Sequence, residues 1–223
     1  MYSNITELAP KTIQYKYIKS HGPLNKYQLK RIEQTIDKTL DEYPRVLAVR
    51  VDLHMPVCRP LCDMLIADDY ARTDAAAISR FNASLNTKIK HYEFKQKKAG
   101  KRVRETSSRI VWAREFCPTN YKKHYHVLLL LNRDAFNSLG SFESDNGIPL
   151  RFIREAWMSA INLIYPKNKE LVQIPDNPCY YISAKDGKQS EAYRELIFRS
   201  SYLAKEKSKC FTDGERNFGC SIK

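Results

Sequence analysis

The sequence predicts an α+β fold in which a central antiparallel sheet of about five strands carries flanking helices. Short apolar segments of strand length come in pairs, and segments with helical periodicity separate the pairs. This order is typical of an antiparallel sheet with helices packed on it. With 223 residues, 43% of them hydrophobic, the chain can bury one core and need not form two. We expect residues 1–44 to be an N-terminal extension with one amphipathic helix, and residues 45–223 to be the main domain.

The N-terminal part contains the first predicted helix and the first predicted strand. Residues 25–42 place apolar side chains at helical spacing, with Asn25 as the cap and Pro44 as the stop. Residues 46–53 interleave apolar and polar side chains, which indicates a half-buried strand.

The middle of the chain predicts a long helix followed by a hairpin. Apolar positions recur at helical spacing from residue 74 to about 97, and a basic loop around Gly100 follows. Residues 109–116 and 124–131 then form two strands, joined by the turn sequence 117–120.

The last third predicts a helix, a second hairpin and a final helix. Pro149 opens the first of these helices. Its inward positions are Ile153, Trp157, Ile161 and Ile164. Residues 171–174 and 180–183 form the predicted hairpin, and the final helix spans about residues 189–207.

The charge balance indicates a polyanionic partner. The formal net charge of +13 is more than solubility requires, although a generally basic surface is the alternative. No apolar run is long enough to span a bilayer, and the N-terminus lacks the layout of a secretory signal. We therefore expect a cytoplasmic protein without a membrane partner.

The six cysteines are irregularly spaced, and no CxxC pair occurs. Cys58 and Cys62, with His54 nearby, could contribute to a metal site. However, the sequence has no second pair of ligands at zinc-finger spacing from them. We expect all six thiols to be reduced and structural or incidental.

Two histidines near the start of the 124–131 strand form the centre of the predicted site. Residues two apart in a strand share a face, so His124 and His126 can present two imidazoles to one cation. Two surface histidines are the alternative. Across the hairpin Glu115 lies almost opposite His124, although an ion pair with a nearby lysine is the alternative for this carboxylate. A His-His-Glu set suits Mg²⁺ or Mn²⁺, and Zn²⁺ is also compatible.

Tyr202 and Lys205 lie three residues apart in the last predicted helix and share a face. Tyr202 falls away from the apolar stripe of that helix, although an ordinary, partly exposed tyrosine is the alternative. A phenol attacks a phosphodiester only with help. A metal could polarise the phosphate, and Lys205 could offset the negative charge of the transition state. The product would be a 5′-phosphotyrosine and a free 3′-hydroxyl.

Several segments carry a family resemblance: residues 111–115, 124–126, 156–157, 201–205 and 216–219. The His-Tyr-His triplet followed by Tyr-x-x-Lys resembles the HUH endonuclease superfamily of rolling-circle Rep proteins and relaxases. More narrowly, these segments resemble the YagK/YfjJ family of prophage- and inovirus-type replication proteins. The likeness covers about residues 45–220.

The resemblance implies a five-stranded antiparallel sheet with a metal site on its face. It makes His124 and His126 the metal ligands, completed by Glu115 on the adjacent strand. It makes Tyr202 the nucleophile and Lys205 its partner.

The resemblance also bears on residues outside the ligand set and the Tyr-x-x-Lys motif. Asp52 and His54, on the first strand, become candidates for DNA or metal contact. Tyr125 departs from the family pattern, in which an aliphatic residue is commoner. Tyr181, with Lys185 four residues on, is the rival nucleophile, although it lies in a predicted strand.

The predicted function is metal-dependent nicking and rejoining of single-stranded or hairpin DNA at the rolling-circle origin of a phage, prophage or satellite element. Phosphate contacts and base stacking would hold the strand. The remaining candidates for DNA contact are basic: Lys95, Lys97, Lys98, Lys101, Arg102, Arg104, Lys122, Lys123 and Lys209. No GxxxxGK[ST] loop occurs, so a helicase would come from the host. The alternatives are a non-catalytic regulator that binds an origin or operator and, less favoured, an RNA-binding domain.

Overall fold

The computed structural model describes residues 14–56, 71–119, 121–140 and 147–221. The helices within these ranges are α1 (Lys26–Glu42), α2 (Ala77–Lys98), α3 (Ile148–Ala160) and α4 (Glu191–Ser200). The strands are β1 (Arg45–His54), β2 (Arg109–Phe116), β3 (Lys123–Asn132), β4 (Val172–Gln173), β5 (Cys179–Ser183) and β6 (Phe218–Cys220). One-turn 3₁₀ helices occur at Lys169–Leu171 and Ser201–Ala204.

These strands form a single antiparallel sheet built around the β2–β3 hairpin. β3 lies between β1 and β2, β6 pairs with the outer edge of β2, and β4 and β5 pair with the outer edge of β1. The α+β prediction is confirmed, with six strands instead of about five.

The predicted hairpin between residues 171–174 and 180–183 is wrong. β4 pairs with the end of β1 at Asp52 and Leu53, and β5 pairs with its beginning. The two short strands therefore lie end to end along one edge of β1. The ten-residue β1 offers enough backbone groups for both.

Helices cover both faces of the sheet. α2 and α3 pack on one face, in a core that contains Phe81 and Trp157. α1 and α4 pack on the other, in a core that contains Ile36 and Leu196. We call the second face the α1/α4 face. Because α1 is part of this core, residues 26–42 pack as one unit with the sheet.

The end of α3 differs from the prediction, whereas α2 ends within one residue of its predicted end. α3 ends at Ala160, and the left-handed backbone of Asn162 (φ 60°) changes the direction of the chain. Ile164 is consequently 72% exposed, not inward as predicted. α2 continues to Lys98, so Lys95, Lys97 and Lys98 are helical and only the later basic residues lie in a loop.

The final helix is also shorter than predicted. α4 ends at Ser200, the chain tightens into the 3₁₀ turn Ser201–Ala204, and Lys205 is extended. Within the described part of the chain, no helix has the length and apolarity that a bilayer crossing requires.

Candidate metal and nucleophile site

Pairing among the three longest strands brings five candidate side chains to one end of the α1/α4 face. β3 places His124 opposite Glu115 of β2 and opposite His54 of β1. It also places His126 opposite Asp52 of β1. The predicted position of Glu115 across from His124 is confirmed.

The atoms of the predicted ligand set converge. The Nε2 atoms of His124 and His126 are 3.2 Å apart, and His126 Nε2 is 3.5 Å from Glu115 Oε2. One ligand atom from each of the three residues lies within 4.8 Å of the others. Two imidazole nitrogens face each other at this distance only if a proton or a cation lies between them.

Glu115 supplies a test of whether a cation fits. Its side chain is almost fully buried, and its Oε1 atom has no hydrogen-bond partner among the described residues. A buried carboxylate oxygen without a partner is rare and needs an explanation. A divalent cation beside two imidazoles would supply one, so the residues present fit such an ion.

The first strand orients the two histidines. Asp52 Oδ1 lies 2.6 Å from Nδ1 of His126, which turns Nε2 of that ring towards Glu115. The ring of His54 stacks on the ring of His124 at a centroid distance of 5.3 Å. Asp52 and His54, predicted as DNA or metal contacts, therefore lie beside the ligand set and position it.

The pKa values at this site reflect burial and the two carboxylates. Burial opposes the charged form of His126, but Asp52 and Glu115 outweigh burial and raise its pKa to about 8. Burial, with the nearby charge of His126, lowers the pKa of His124. Burial alone would raise the pKa of Glu115, but contacts with His126 and Lys205 lower it. The set thus combines an ionised carboxylate with one basic and one neutral imidazole.

Tyr202 lies in the 3₁₀ turn that follows α4, next to the ligand set. Its ring meets the ring of His126 edge to face, with centroids 5.0 Å apart. The ammonium of Lys205 donates to the Tyr202 hydroxyl and lies 2.8 Å from Glu115 Oε2. Lys205 is only 5% exposed. The structure therefore brings the predicted nucleophile, its lysine partner and the predicted ligands into one cluster.

Residues 18–25, which precede α1, contact the 3₁₀ turn that contains Tyr202. We call this segment the N-terminal strap. The backbone N–H of Ile18 donates to Ser201 Oγ (2.9 Å), and that of Asn25 donates to the Ala204 carbonyl (2.8 Å). The ring of His21 packs edge to face on the ring of Tyr202, with centroids 5.1 Å apart. Sequence analysis missed His21, because a contact across about 180 residues leaves no local pattern.

Tyr181, the rival nucleophile, lies on the other face of the sheet. It pairs with Leu47, whose side chain belongs to the α2/α3 core. Directly opposite residues of an antiparallel pair project to the same side. Arg133 covers the Tyr181 ring at 4.7 Å. The Tyr181 hydroxyl is thus separated by the sheet from the histidine pair.

Lys122, Lys123 and Lys209 lie at the same end of the sheet as the candidate site, but the side chain of Lys123 projects to the opposite face. Lys209 donates to Gln28 Oε1 (2.7 Å) and to the Leu203 carbonyl (2.9 Å), and burial lowers its pKa to about 8. Lys123 pairs with Glu215 at 3.1 Å. The backbone carbonyl oxygen of Lys122 lies 3.3 Å from His124 Nδ1.

The other predicted DNA contacts lie at the opposite end of the sheet. Asn132, the last residue of β3, bonds to the backbone of Glu105 and to the Thr106 hydroxyl. Six residues of strand separate Asn132 from His126, which is roughly 20 Å. The structure therefore does not bring the basic segment of residues 95–104 to the histidine pair.

The C-terminal loop is fixed to β2 by Arg114, which is 1% exposed. Its guanidinium donates to Asp213, Glu215 and Asn217 at 2.6–3.1 Å. Gly219 lies so close to Trp112 that an added Cβ would meet the indole at 2.6 Å. Asn217 and Gly219 of the closing Arg-Asn-Phe-Gly motif thus have structural roles.

Among the described residues, four cysteines form no disulfide: Cys117, Cys179, Cys210 and Cys220. Cys58 and Cys62, and Asn120 of the predicted turn, lie outside the described residues.

Fold and site together define an α+β domain with a Glu-His-His group and an adjoining tyrosine on one sheet face. The chain matches the family model of the YagK/YfjJ C-terminal domain over residues 9–221, and it belongs to that family. It is 35% identical to the uncharacterized protein YfjJ of Escherichia coli (strain K12) over 193 residues, 86% of this chain and 91% of the relative. It is 34% identical to the uncharacterized protein YagK of the same strain over 206 residues, 92% of this chain and 97% of the relative. No solved structure matches the chain significantly.

Proposed function

We propose that this protein is a metal-dependent single-strand DNA nickase and strand transferase with chemistry of the HUH type. The observation that carries the proposal is the contact of the Tyr202 ring with His126, with Lys205 joining the Tyr202 hydroxyl to Glu115. A phenol, an ammonium group and a candidate metal set thus lie in one cluster of contacting side chains. That combination suits attack on a phosphodiester.

Each side chain has a distinct task in this reaction. Glu115, His124 and His126 would hold a divalent cation, which when bound supplies polarisation of the scissile phosphate. Asp52 fixes the orientation of His126. Lys205 orients the phenol through its hydrogen bond and offsets the negative charge that gathers on the phosphate oxygens.

The covalent step is a displacement at phosphorus. The phenolic oxygen of Tyr202 loses its proton and bonds to the phosphorus atom, and the bond from phosphorus to the 3′-oxygen breaks. The 3′-oxygen gains a proton, and the 5′-phosphate stays on the tyrosine. Rejoining is the reverse reaction with a 3′-hydroxyl as the nucleophile. We infer that the substrate is single-stranded or hairpin DNA at a replication origin, with host helicase activity opening the duplex.

The proposal is tested by a search for a covalent adduct. Labelled single strands, drawn from a randomised pool because the origin sequence is unknown, are incubated with the protein and Mn²⁺. We expect a labelled band at the mass of a protein–DNA adduct, and its loss with Tyr202→Phe because the phenyl ring lacks the attacking oxygen.

Tyr181→Phe is the matched control, since it removes a hydroxyl on the other face of the sheet and should leave the adduct unchanged. Strands that bind but stay uncut at every Mn²⁺ concentration would instead indicate a regulator that only binds DNA. An adduct that persists in Tyr202→Phe would show that another residue is the nucleophile.

A further inference from the structure

A cleft of about 890 Å³ opens between the turn that follows β2 and the segment that follows the Tyr202 turn, and we call it the lateral cleft. One wall is the end of β2 and the turn after it, with Phe116 and Tyr121. The other wall is the segment from Lys207 to Asp213, with Phe211 near its middle. The reaction proposed above uses none of these side chains.

Two aromatic rings in the lateral cleft are unusually exposed. Tyr121 is 80% exposed and Phe211 is 70% exposed. Neither ring is part of the described cores, so core packing does not account for an aromatic residue at either position. Flat, accessible rings on both walls are the arrangement on which the bases of a single strand stack.

The backbone of both walls is held in a conformation that non-glycine residues rarely adopt. Tyr121 has φ 53° and Ser208 has φ 72°. Hydrogen bonds keep both in place, from Tyr121 N–H to the Cys117 carbonyl (2.9 Å) and from Phe116 N–H to the Ser208 carbonyl (3.0 Å). Strained residues of this kind concentrate at ligand sites.

The charge around the lateral cleft is positive. Lys207 and Lys209 line it, and the carboxylate of Asp213 is matched by the buried guanidinium of Arg114. That pairing holds the pKa of Asp213 well below its ordinary value. Apolar rings with an ammonium rim complement a chain that carries flat bases and phosphates.

The lateral cleft adjoins the candidate site at Lys209. This lysine lines the cleft and donates to the carbonyl of Leu203, the neighbour of Tyr202, whereas the Phe116 ring projects to the sheet face opposite Glu115. A strand with its phosphate at the ligand set would extend its adjoining bases into this space.

We propose that the lateral cleft binds the nucleobases next to the scissile phosphate of single-stranded DNA, by stacking on Tyr121 and Phe211. This inference rests on the proposed nickase function, because that function supplies the strand. It assigns a substrate subsite to a turn and a loop that the sequence motifs leave without a role.

The test measures binding without metal, so that it does not depend on catalysis. The probes are an oligothymidylate and an abasic strand of the same length, which keeps the phosphates and lacks the bases. We expect the protein to prefer the oligothymidylate. The Tyr121→Ala/Phe211→Ala variant should lose about tenfold or more in affinity for it and leave abasic binding unchanged.

Two controls test whether the loss of affinity comes from the lateral cleft. Phe94→Ala removes an equally accessible ring (63% exposed) from α2 and should not change either affinity. An oligothymidylate that contains 4-thiothymidine should crosslink to peptides with Tyr121 or Phe211 in the wild type and in Tyr202→Phe. Because both rings are exposed, the double variant should keep the wild-type circular dichroism spectrum.

The outcomes separate this proposal from the nickase proposal. Base-dependent binding and crosslinks at the lateral cleft, without an adduct on any strand, would support the subsite and overturn the nickase. An adduct with Tyr202 combined with unchanged base preference in the double variant would overturn the subsite. Tighter binding of an oligouridylate RNA at the same rings would overturn the assignment to DNA.

Discussion

At the scale of single residues, the position of the proton on His126 controls the candidate metal site. Asp52 and Glu115 flank this ring, at 2.6 Å from Nδ1 and 3.5 Å from Nε2. The same two carboxylates that orient the ring for a metal also hold a proton on it when no metal is bound. Metal and proton therefore compete for one nitrogen.

This competition predicts a pH dependence of metal binding. Because the pKa of His126 is raised to about 8, most rings carry a proton at neutral pH and a metal must displace it. We expect the affinity for Mn²⁺ to rise by up to about tenfold per pH unit below pH 8 and to level off above it. Titration calorimetry in buffers of different ionisation enthalpy should detect about one released proton near pH 7.

Asp52→Asn provides the control for this prediction. The amide keeps a polar contact with Nδ1 but lacks the negative charge, so the pKa of His126 should fall and the break in the pH profile should move to lower pH. Mn²⁺ affinity that stays constant from about pH 6 to about pH 8 would contradict the assignment of His126 as a ligand.

At the scale of elements, Arg114 joins the sheet to the loop that forms one wall of the lateral cleft. Its buried guanidinium bonds to three side chains between residues 213 and 217. The exposed pair of Arg45 and Asp134, at 2.6 Å, makes the same kind of contact in water. The two arginines therefore differ in burial and in the number of their hydrogen-bond partners.

We expect Arg114→Gln to lower the free energy of unfolding by about 2 kcal/mol, because hydrogen bonds to charged groups are lost in a buried place. Arg45→Gln, the matched control, should cost well under about 1 kcal/mol. Urea denaturation measures both. Equal losses in the two variants would show that the loop does not depend on Arg114. Mn²⁺ affinity should change little in Arg114→Gln, since this side chain projects to the face opposite the ligand set.

Elements with a strong local pattern were predictable from the sequence. α1 with its Asn25 cap, β1 and the β2–β3 hairpin all lie within one or two residues of their predicted bounds. The alternation of side chains along β3 placed both histidines on one face, and the hairpin register placed Glu115 beside them.

Contacts between distant parts of the chain were not predictable. The strap contact of His21 with Tyr202 and the hydrogen bond of Asp52 with His126 each join segments that share no local pattern. The placement of β4 and β5 along one edge of β1 depends on which strand offers free backbone groups, and that is a property of the assembled sheet. The 3₁₀ turn Ser201–Ala204 after α4 escaped prediction for a related reason, because the N-terminal strap contacts it at Ser201 and Ala204.

At the scale of the whole molecule, the basic residues predicted to contact DNA do not lie together. Lys209 lies next to the Tyr202 turn, and the basic segment near residues 101–104 lies at the other end of β3, roughly 20 Å away. The net charge of +13 is therefore not concentrated around the candidate site. The basic segment can contribute to binding only if the DNA strand is long enough to reach from the ligand set to residues 101–104.

This separation predicts an effect that depends on strand length. Replacing Lys101, Arg102 and Arg104 with glutamine should weaken the binding of long single strands and leave that of short strands at the ligand set unchanged. If all three contact phosphates, the slope of log affinity against log salt should become shallower by about 2 for long strands. The control replaces Lys16, Lys167 and Lys185, which are also exposed, and changes the net charge equally. Equal effects of both triples would mean that overall charge, and not a second contact surface, attracts the strand. An unchanged slope in the first triple would remove the basic segment from the DNA path.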